Sequence, residues 1–134
     1  MWRKRNSHAC IPLRPGFATP TASATPPVTH ALVDPLGAPM LERIHADTLF
    51  LTCHGVHPAA GVTGLNLLEA EMKRKMLGAS RRHVVLADSS KLGRTGLAPV
   101  CDLAEVDLLV TGREADPELV AGLRAGGTPV DLVD

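Results

Sequence analysis

The chain has 134 residues, 14 Lys+Arg against 14 Asp+Glu, 45% hydrophobic residues and only 2% aromatic ones. That length amounts to a single domain with enough apolar side chains for a core, which argues against general disorder. Balanced charge removes the strongest argument for a phosphate-backbone binder, scarce aromatics argue against a base-stacking platform, and no apolar run approaches the ~20 residues of a membrane span.

The first 33 residues hold Arg3, Lys4, Arg5 and Arg14 and no acid, whereas the chain from Asp34 onward holds 10 basic and 14 acidic residues. Met1-Trp2-Arg3-Lys4-Arg5 is basic like the start of a signal peptide, but no continuous apolar stretch follows it, so export is not expected. The stretch Thr19-Pro20-Thr21-Ala22-Ser23-Ala24-Thr25-Pro26-Pro27 is rich in proline. Proline removes backbone donors and steers the preceding residue away from helix. Residues 1–30 therefore read as an extended, poorly ordered leader, and residues 31–134 as the folded part. A basic arm for DNA is the sharper alternative for the leader, resting on four cations alone.

From there the pattern alternates. Leu36 to Ile44 reads as a helix interrupted early by Gly37 and Pro39. Asp47-Thr48-Leu49-Phe50-Leu51-Thr52 reads as a buried strand, followed by a loop punctuated by Pro58 and Gly61. A helix is predicted over Leu67–Gly78, with Asn66 as its cap and Glu69 completing a capping box. Its apolar stripe is Leu68, Met72 and Met76, and Glu69/Lys73 and Glu71/Lys75 stand at ion-pair spacing. Residues 83–88 and 106–111 read as two more strands. Asp116-Pro117 opens a helix that Gly126-Gly127 closes, and Val130–Val133 makes a last strand. Apolar strands alternating with amphipathic helices predict an α/β fold with a parallel sheet covered on both faces.

In such sheets ligands bind beyond the carboxyl ends of the strands. Three loops qualify: Cys53-His54-Gly55-Val56-His57, Asp88-Ser89-Ser90-Lys91-Leu92-Gly93, and Thr111-Gly112-Arg113. Together they offer an ammonium, hydroxyls, imidazoles and glycine amides, a set that suits an anionic, hydroxyl-rich small molecule such as a sugar phosphate. Each residue also has a plainer reading. Lys91 is an ordinary loop lysine, Asp88 caps the next turn, and Glu69 satisfies a helix start. His54 and His57 lack a third metal ligand at convincing spacing, and adjacent Cys53 and His54 do not favour a nucleophile–base pair. Cys10, Cys53 and Cys101 form neither a disulfide framework nor a zinc motif, which fits a reducing cytoplasm.

Read as a string, Val33-Asp34-Pro35-Leu36, Ala46-Asp47-Thr48-Leu49-Phe50-Leu51, Gly55-Val56, Gly61-Val62-Thr63, Asn66-Leu67-Leu68-Glu69-Ala70-Glu71-Met72-Lys73-Arg74, Val85-Leu86-Ala87-Asp88-Ser89-Ser90-Lys91-Leu92-Gly93 and Val106-Asp107-Leu108-Leu109-Val110-Thr111 resemble, in order, the effector-binding domain of DeoR/GlpR-type bacterial transcriptional regulators. The resemblance implies a fold like that of ribose-5-phosphate isomerases, a phosphorylated-sugar effector, and a signal passed to an N-terminal winged helix-turn-helix that binds operator DNA. By motif position it implies ligand contacts at His54, Gly55, Thr63, Glu69, Lys73, Asp88 and Lys91, with Lys91 foremost. It implies no catalytic residue, metal or cofactor.

Departures accompany it. The helix-turn-helix and the first half of the effector fold have no counterpart here, so the chain reads as a truncated sensor domain that does not itself touch DNA. Family members tend to carry Gly, Asp or Asn, and Asp where Thr52, His54 and His57 stand, and Thr-Asp where Thr111-Gly112 stands. Fewer carboxylates make isomerase-type proton transfer a poorer reading than sensing. A sugar-phosphate isomerase-like enzyme stays open as the alternative, as does a remnant that acts through association into a homo-oligomer by its exposed sheet edges and faces.

Overall fold

The computed structural model describes residues 37–134, so the leader over residues 1–30 lies outside the described residues. Twelve described elements follow one another from a short helix, α1 (Ala38–Leu41), to a final strand. Of the helix expected from Leu36 to Ile44, Leu36 lies outside the described residues and the rest forms only this one turn. Pro39 sits in its first turn, Met40 and Ile44 are exposed, and no residue of the turn is buried, so nothing propagates it further.

Strand β1 (Ala46–Thr52) is followed by a hairpin, β2 (Gly55–His57) and β3 (Gly61–Gly64), where the sequence suggested only a loop. Gly61 has φ +70 and a Cβ there would overlap the Cys101 carbonyl, so glycine permits the tight return. The helix α2 (Leu67–Gly78) has the predicted bounds because Asn66 Oδ1 accepts from the N–H groups of Leu68 and Glu69. Strand β4 (Ser80–Leu86) leads through a 3-10 turn, Ser89–Lys91, to β5 (Ala98–Cys101) and a second turn, Leu103–Glu105. The remaining elements are β6 (Leu108–Gly112), α3 (Pro117–Ala125) and β7 (Val130–Val133). Asp116 caps α3 by accepting from Glu118 N–H at 2.8 Å.

Strands β1, β4, β6 and β7 form one parallel sheet in that order, while β2, β3 and β5 form a small antiparallel sheet beside it. The class is α/β, as expected, with the small sheet added. One expectation is corrected: among the described residues, helices cover a single face of the parallel sheet. Each step from β1 to β4, β6 and β7 moves the same way, and right-handed crossovers then place every connection on one side. Registers Leu49↔His83, Leu51↔Val85↔Leu109↔Val130 and Thr111↔Leu132 define the covered face, whose apolar members join the core with Leu77, Val120 and Leu123. The opposite face presents Phe50, Leu86 and Val133, exposed by 61%, 37% and 42%, around a buried Val84 that stands apart from the main core.

Helix α2 departs from its predicted stripe. Its buried residues are Ala70, Lys73 and Leu77, whereas Leu68 is exposed. A lysine on the buried face is the first sign of where this molecule concentrates its polar chemistry.

Candidate functional site

Parallel strands end on the same rim, so the segments after Thr52, Leu86 and Gly112 all emerge together. Gly93 N–H donates to Val56 O at 2.8 Å, and Val56 makes a parallel bridge with Leu92. These contacts bring the Gly55 backbone alongside Lys91. The Thr63 hydroxyl donates to Gly55 O at 3.3 Å and accepts from Gly96 N–H at 2.7 Å. Thr63 is buried, so its hydroxyl works both as donor and acceptor within the protein. A Cβ on Gly55 would overlap the Arg94 carbonyl, so only glycine allows this close approach.

Charge gathers under the same rim. Lys73 Nζ donates to Thr52 O at 2.9 Å and pairs with Glu69 Oε1 at 2.9 Å, the two side chains being 5% and 12% exposed. The pair ties α2 to the end of β1. Because Glu69 bonds Lys73, it leaves the expected capping box to Asn66 alone. Asp88 accepts from Ser90 N–H at 3.0 Å and from the Ser90 hydroxyl, and pairs with Lys91 Nζ at 3.5 Å. The Ser90 hydroxyl, and then the Lys91 ammonium, hold the Asp88 carboxyl below its ordinary value despite some burial. Ser89 Oγ donates to Glu114 Oε1 at 3.0 Å, which links the turn after β4 to the loop after β6.

Cys53, the residue after β1, is buried. Burial pushes its thiol up to about 11, while Lys91 and Lys73 pull it down and Asp88 pushes it up. The contacts of Lys73 with Thr52 O and of Leu92 and Gly93 with Val56 bring α2 and the loop after β4 to the segment that follows β1. The thiol stays protonated at neutral pH and is no nucleophile. The Thr52 and Thr111 hydroxyls, at the ends of β1 and β6, are buried with no hydrogen-bond partner among the described residues. Such leftover polar capacity is uncommon in a folded chain.

Of the seven residues singled out from sequence, Gly55, Thr63, Glu69, Lys73, Asp88 and Lys91 therefore lie at or directly beneath this rim. His54 follows Cys53 there, half-buried, and its N–H donates to Thr63 O at 2.9 Å. His57 turns away to accept from Ala59 N–H at 3.0 Å through Nδ1. No group of three or more His, Cys, Asp or Glu residues able to hold a metal occurs among the described residues. Sequence reasoning did not identify Gly96, Glu114 or the Thr52 carbonyl as partners. Each acts through a contact more than twenty residues away, for which the string of residues carries no signal.

Residues 23–113, over half of the chain, match the family pattern of the DeoR C-terminal sensor domain. The chain is 31% identical over 99 residues to the HTH-type transcriptional regulator GolR of Listeria innocua, covering 74% of this chain and 39% of that protein. It is 34% identical over 102 residues to the regulator GlpR of Haloferax volcanii, covering 76% and 40%. A third relative, the L-fucose operon activator of Haemophilus influenzae, is 33% identical over 89 residues, with 66% and 36% covered. The matched region is thus about two-fifths the length of these relatives. No helix among the described residues is long and apolar enough to cross a membrane. With a family pattern matched over more than half of its length, the chain belongs to the DeoR family of transcriptional regulators, as a sensor domain.

Proposed function

We propose that this sensor domain binds a phosphorylated sugar at the rim formed by Gly55, Asp88 and Lys91, without catalysing its conversion and without touching DNA itself. The observation that carries the reading is the seating of the Lys91–Asp88 pair beside Gly55, through the Val56–Leu92 bridge and the Gly93 N–H to Val56 O bond, with the Gly55 carbonyl held by Thr63. An ammonium beside backbone amides recognises a phosphate, and a neighbouring carboxylate accepts from sugar hydroxyls. In this reading Lys91 and Asp88 touch the effector. Glu69, Lys73 and Thr63 hold the rim in shape, and His54 lines its entrance. Two relatives bear names that refer to operons, the L-fucose operon activator and a putative aga operon repressor of Escherichia coli, in keeping with a sugar signal.

Isomerase-like catalysis has less behind it. Such a reaction needs a base poised near neutral pH. Asp88 is held ionised by Ser90 and Lys91, the Cys53 thiol stays protonated, and the His57 ring is engaged with Ala59.

Thermal unfolding with a panel of sugar phosphates tests the proposal. A ligand at 100 times its Kd adds about 2.7 kcal/mol to folding stability, which raises Tm by several degrees. The expected result is a shift for at least one phosphorylated sugar that Lys91→Ala abolishes. No shift across the panel, or one that survives Lys91→Ala, contradicts it.

A second reading, subunit association, is favoured by the apolar sheet face bearing Phe50, Leu86 and Val133. Sedimentation then shows a concentration-dependent homo-oligomer that Phe50→Lys dissociates. A monomer at every concentration removes this reading.

A further inference from the structure

We infer that His83 is a proton-operated clasp joining the end of α2 to the turn that precedes β6. The inference is independent of the sugar-phosphate reading. His83 lies on the covered face of β4, level with Leu49 of β1. Its Nδ1 is 2.8 Å from Glu105 O, and its Nε2 is 3.1 Å from Leu77 O and 3.2 Å from Ser80 O. All three partners are carbonyl oxygens, which only accept. A neutral imidazole carries one N–H, so one ring nitrogen would turn a lone pair toward a carbonyl. Only the imidazolium donates on both sides, and then it bridges two segments 28 residues apart, Leu77 and Glu105.

The surroundings favour that charge. Leu77 lies in the last turn of α2, where the negative end of the helix dipole attracts a cation. Asp107 accepts from His83 N–H at 2.7 Å and donates its own N–H to His83 O at 3.0 Å, which sets its carboxylate beside the residue. The Glu105 carboxylate is turned away, accepting from Asp102 N–H at 3.0 Å. Lys75 lies in the last turn of α2, and Arg82 precedes His83 on β4. Partial burial pulls the ring down, yet the Glu105, Ser80 and Leu77 carbonyls and Asp107 outweigh it and hold His83 above its ordinary value.

The sign of the effect follows. A histidine raised on folding contributes stability that is complete below its unfolded pKa, near ~6.5, and is lost as pH rises through the folded value. Each unit of elevation is worth a tenfold change in the folding equilibrium constant. Deprotonation therefore loosens the end of α2 and the turn before β6 together, through one side chain.

Nitrogen-detected NMR of the histidine rings in the full chain tests the clasp. The expected result has both His83 nitrogens protonated at pH 6, a titration midpoint above that of an unstructured histidine, and backbone amides of residues 77–80 and 103–107 shifting with it. Denaturant unfolding of the same chain loses stability as pH rises above the unfolded histidine value near ~6.5, whereas His83→Gln is flatter over the same rise. His8, His30, His45, His54 and His57 remain in both chains, so the difference isolates His83. A midpoint at or below the unstructured value, or parallel stability curves for the two proteins, overturns the inference, and the NMR arm stands even where His83→Gln fails to fold.

Discussion

Two ion pairs at opposite rims of the parallel sheet, Arg81–Asp47 and Lys73–Glu69, sit in opposite surroundings. At the amino-terminal rim Arg81 pairs with Asp47, and both side chains are more than four-fifths exposed. At the carboxyl-terminal rim Lys73 pairs with Glu69 almost entirely out of water, and its ammonium also holds the last carbonyl of β1. Water screens the first pair and does most of the solvation, so its contribution is small. The second pair has left water and depends on its geometry to offset desolvation. Among the described residues, the buried ion pair thus lies at the rim where Gly55, Asp88 and Lys91 meet.

That contrast can be broken by substitution, and the largest effect is expected at Lys73. Lys73→Ala leaves Glu69 buried without its partner and should cost about 3–5 kcal/mol in denaturant unfolding. Removing both charges with Glu69→Leu and Lys73→Met should recover most of that loss, and a double variant as unstable as the single one would show that the pair is not the cause. Next in size is Thr63→Val, which deprives Gly96 N–H of its acceptor and Gly55 O of its donor. About 1–3 kcal/mol of destabilisation is expected, with NMR shifts spreading to Gly55 and Lys91. Smallest is Arg81→Ala at the other rim, where a change below about 1 kcal/mol is expected. A larger loss there would erase the distinction between the rims.

A pH series sharpens the same comparison along β4. At its carboxyl end Asp88 is depressed, so its contribution is present above the unfolded carboxylate value near ~3.9 and disappears as pH falls through the folded value. Asp88→Asn should flatten the acid limb of the stability curve. An unchanged acid limb would mean that Ser90 and Lys91 do not stabilise the ionised form. His83, further back on the same strand, has the opposite sign and acts on the basic side.

Much of the framework could be read from the residues. Asn66 announced the start of α2, Asp116-Pro117 that of α3, and the apolar runs at 47–52 and 130–133 gave β1 and β7 to within a residue. The small sheet was hidden because β2 and β3 are only three and four residues long around Pro58, and β5 contains Pro99. Such segments are strands through tertiary pairing and show no alternation of their own. For α2 the Leu and Met positions suggested one stripe, yet Lys73 sits on the buried side because its ammonium finds Thr52 O, a partner twenty-one residues earlier. The same limit applies to the site. Its loops were legible from the rule that strand ends gather, but the Thr63–Gly55–Gly96 knot and the link from Ser89 to Glu114 exist only once the chain has folded.

Amide chemical-shift mapping during titration with a phosphorylated sugar tests the central claim most directly. The account predicts that shifts concentrate in residues 53–55, 88–93 and 111–113 and vanish in Lys91→Ala. Shifts confined to the Phe50 and Leu86 face or to the rim of Asp47 and Arg81, or none with any phosphorylated sugar, would contradict it.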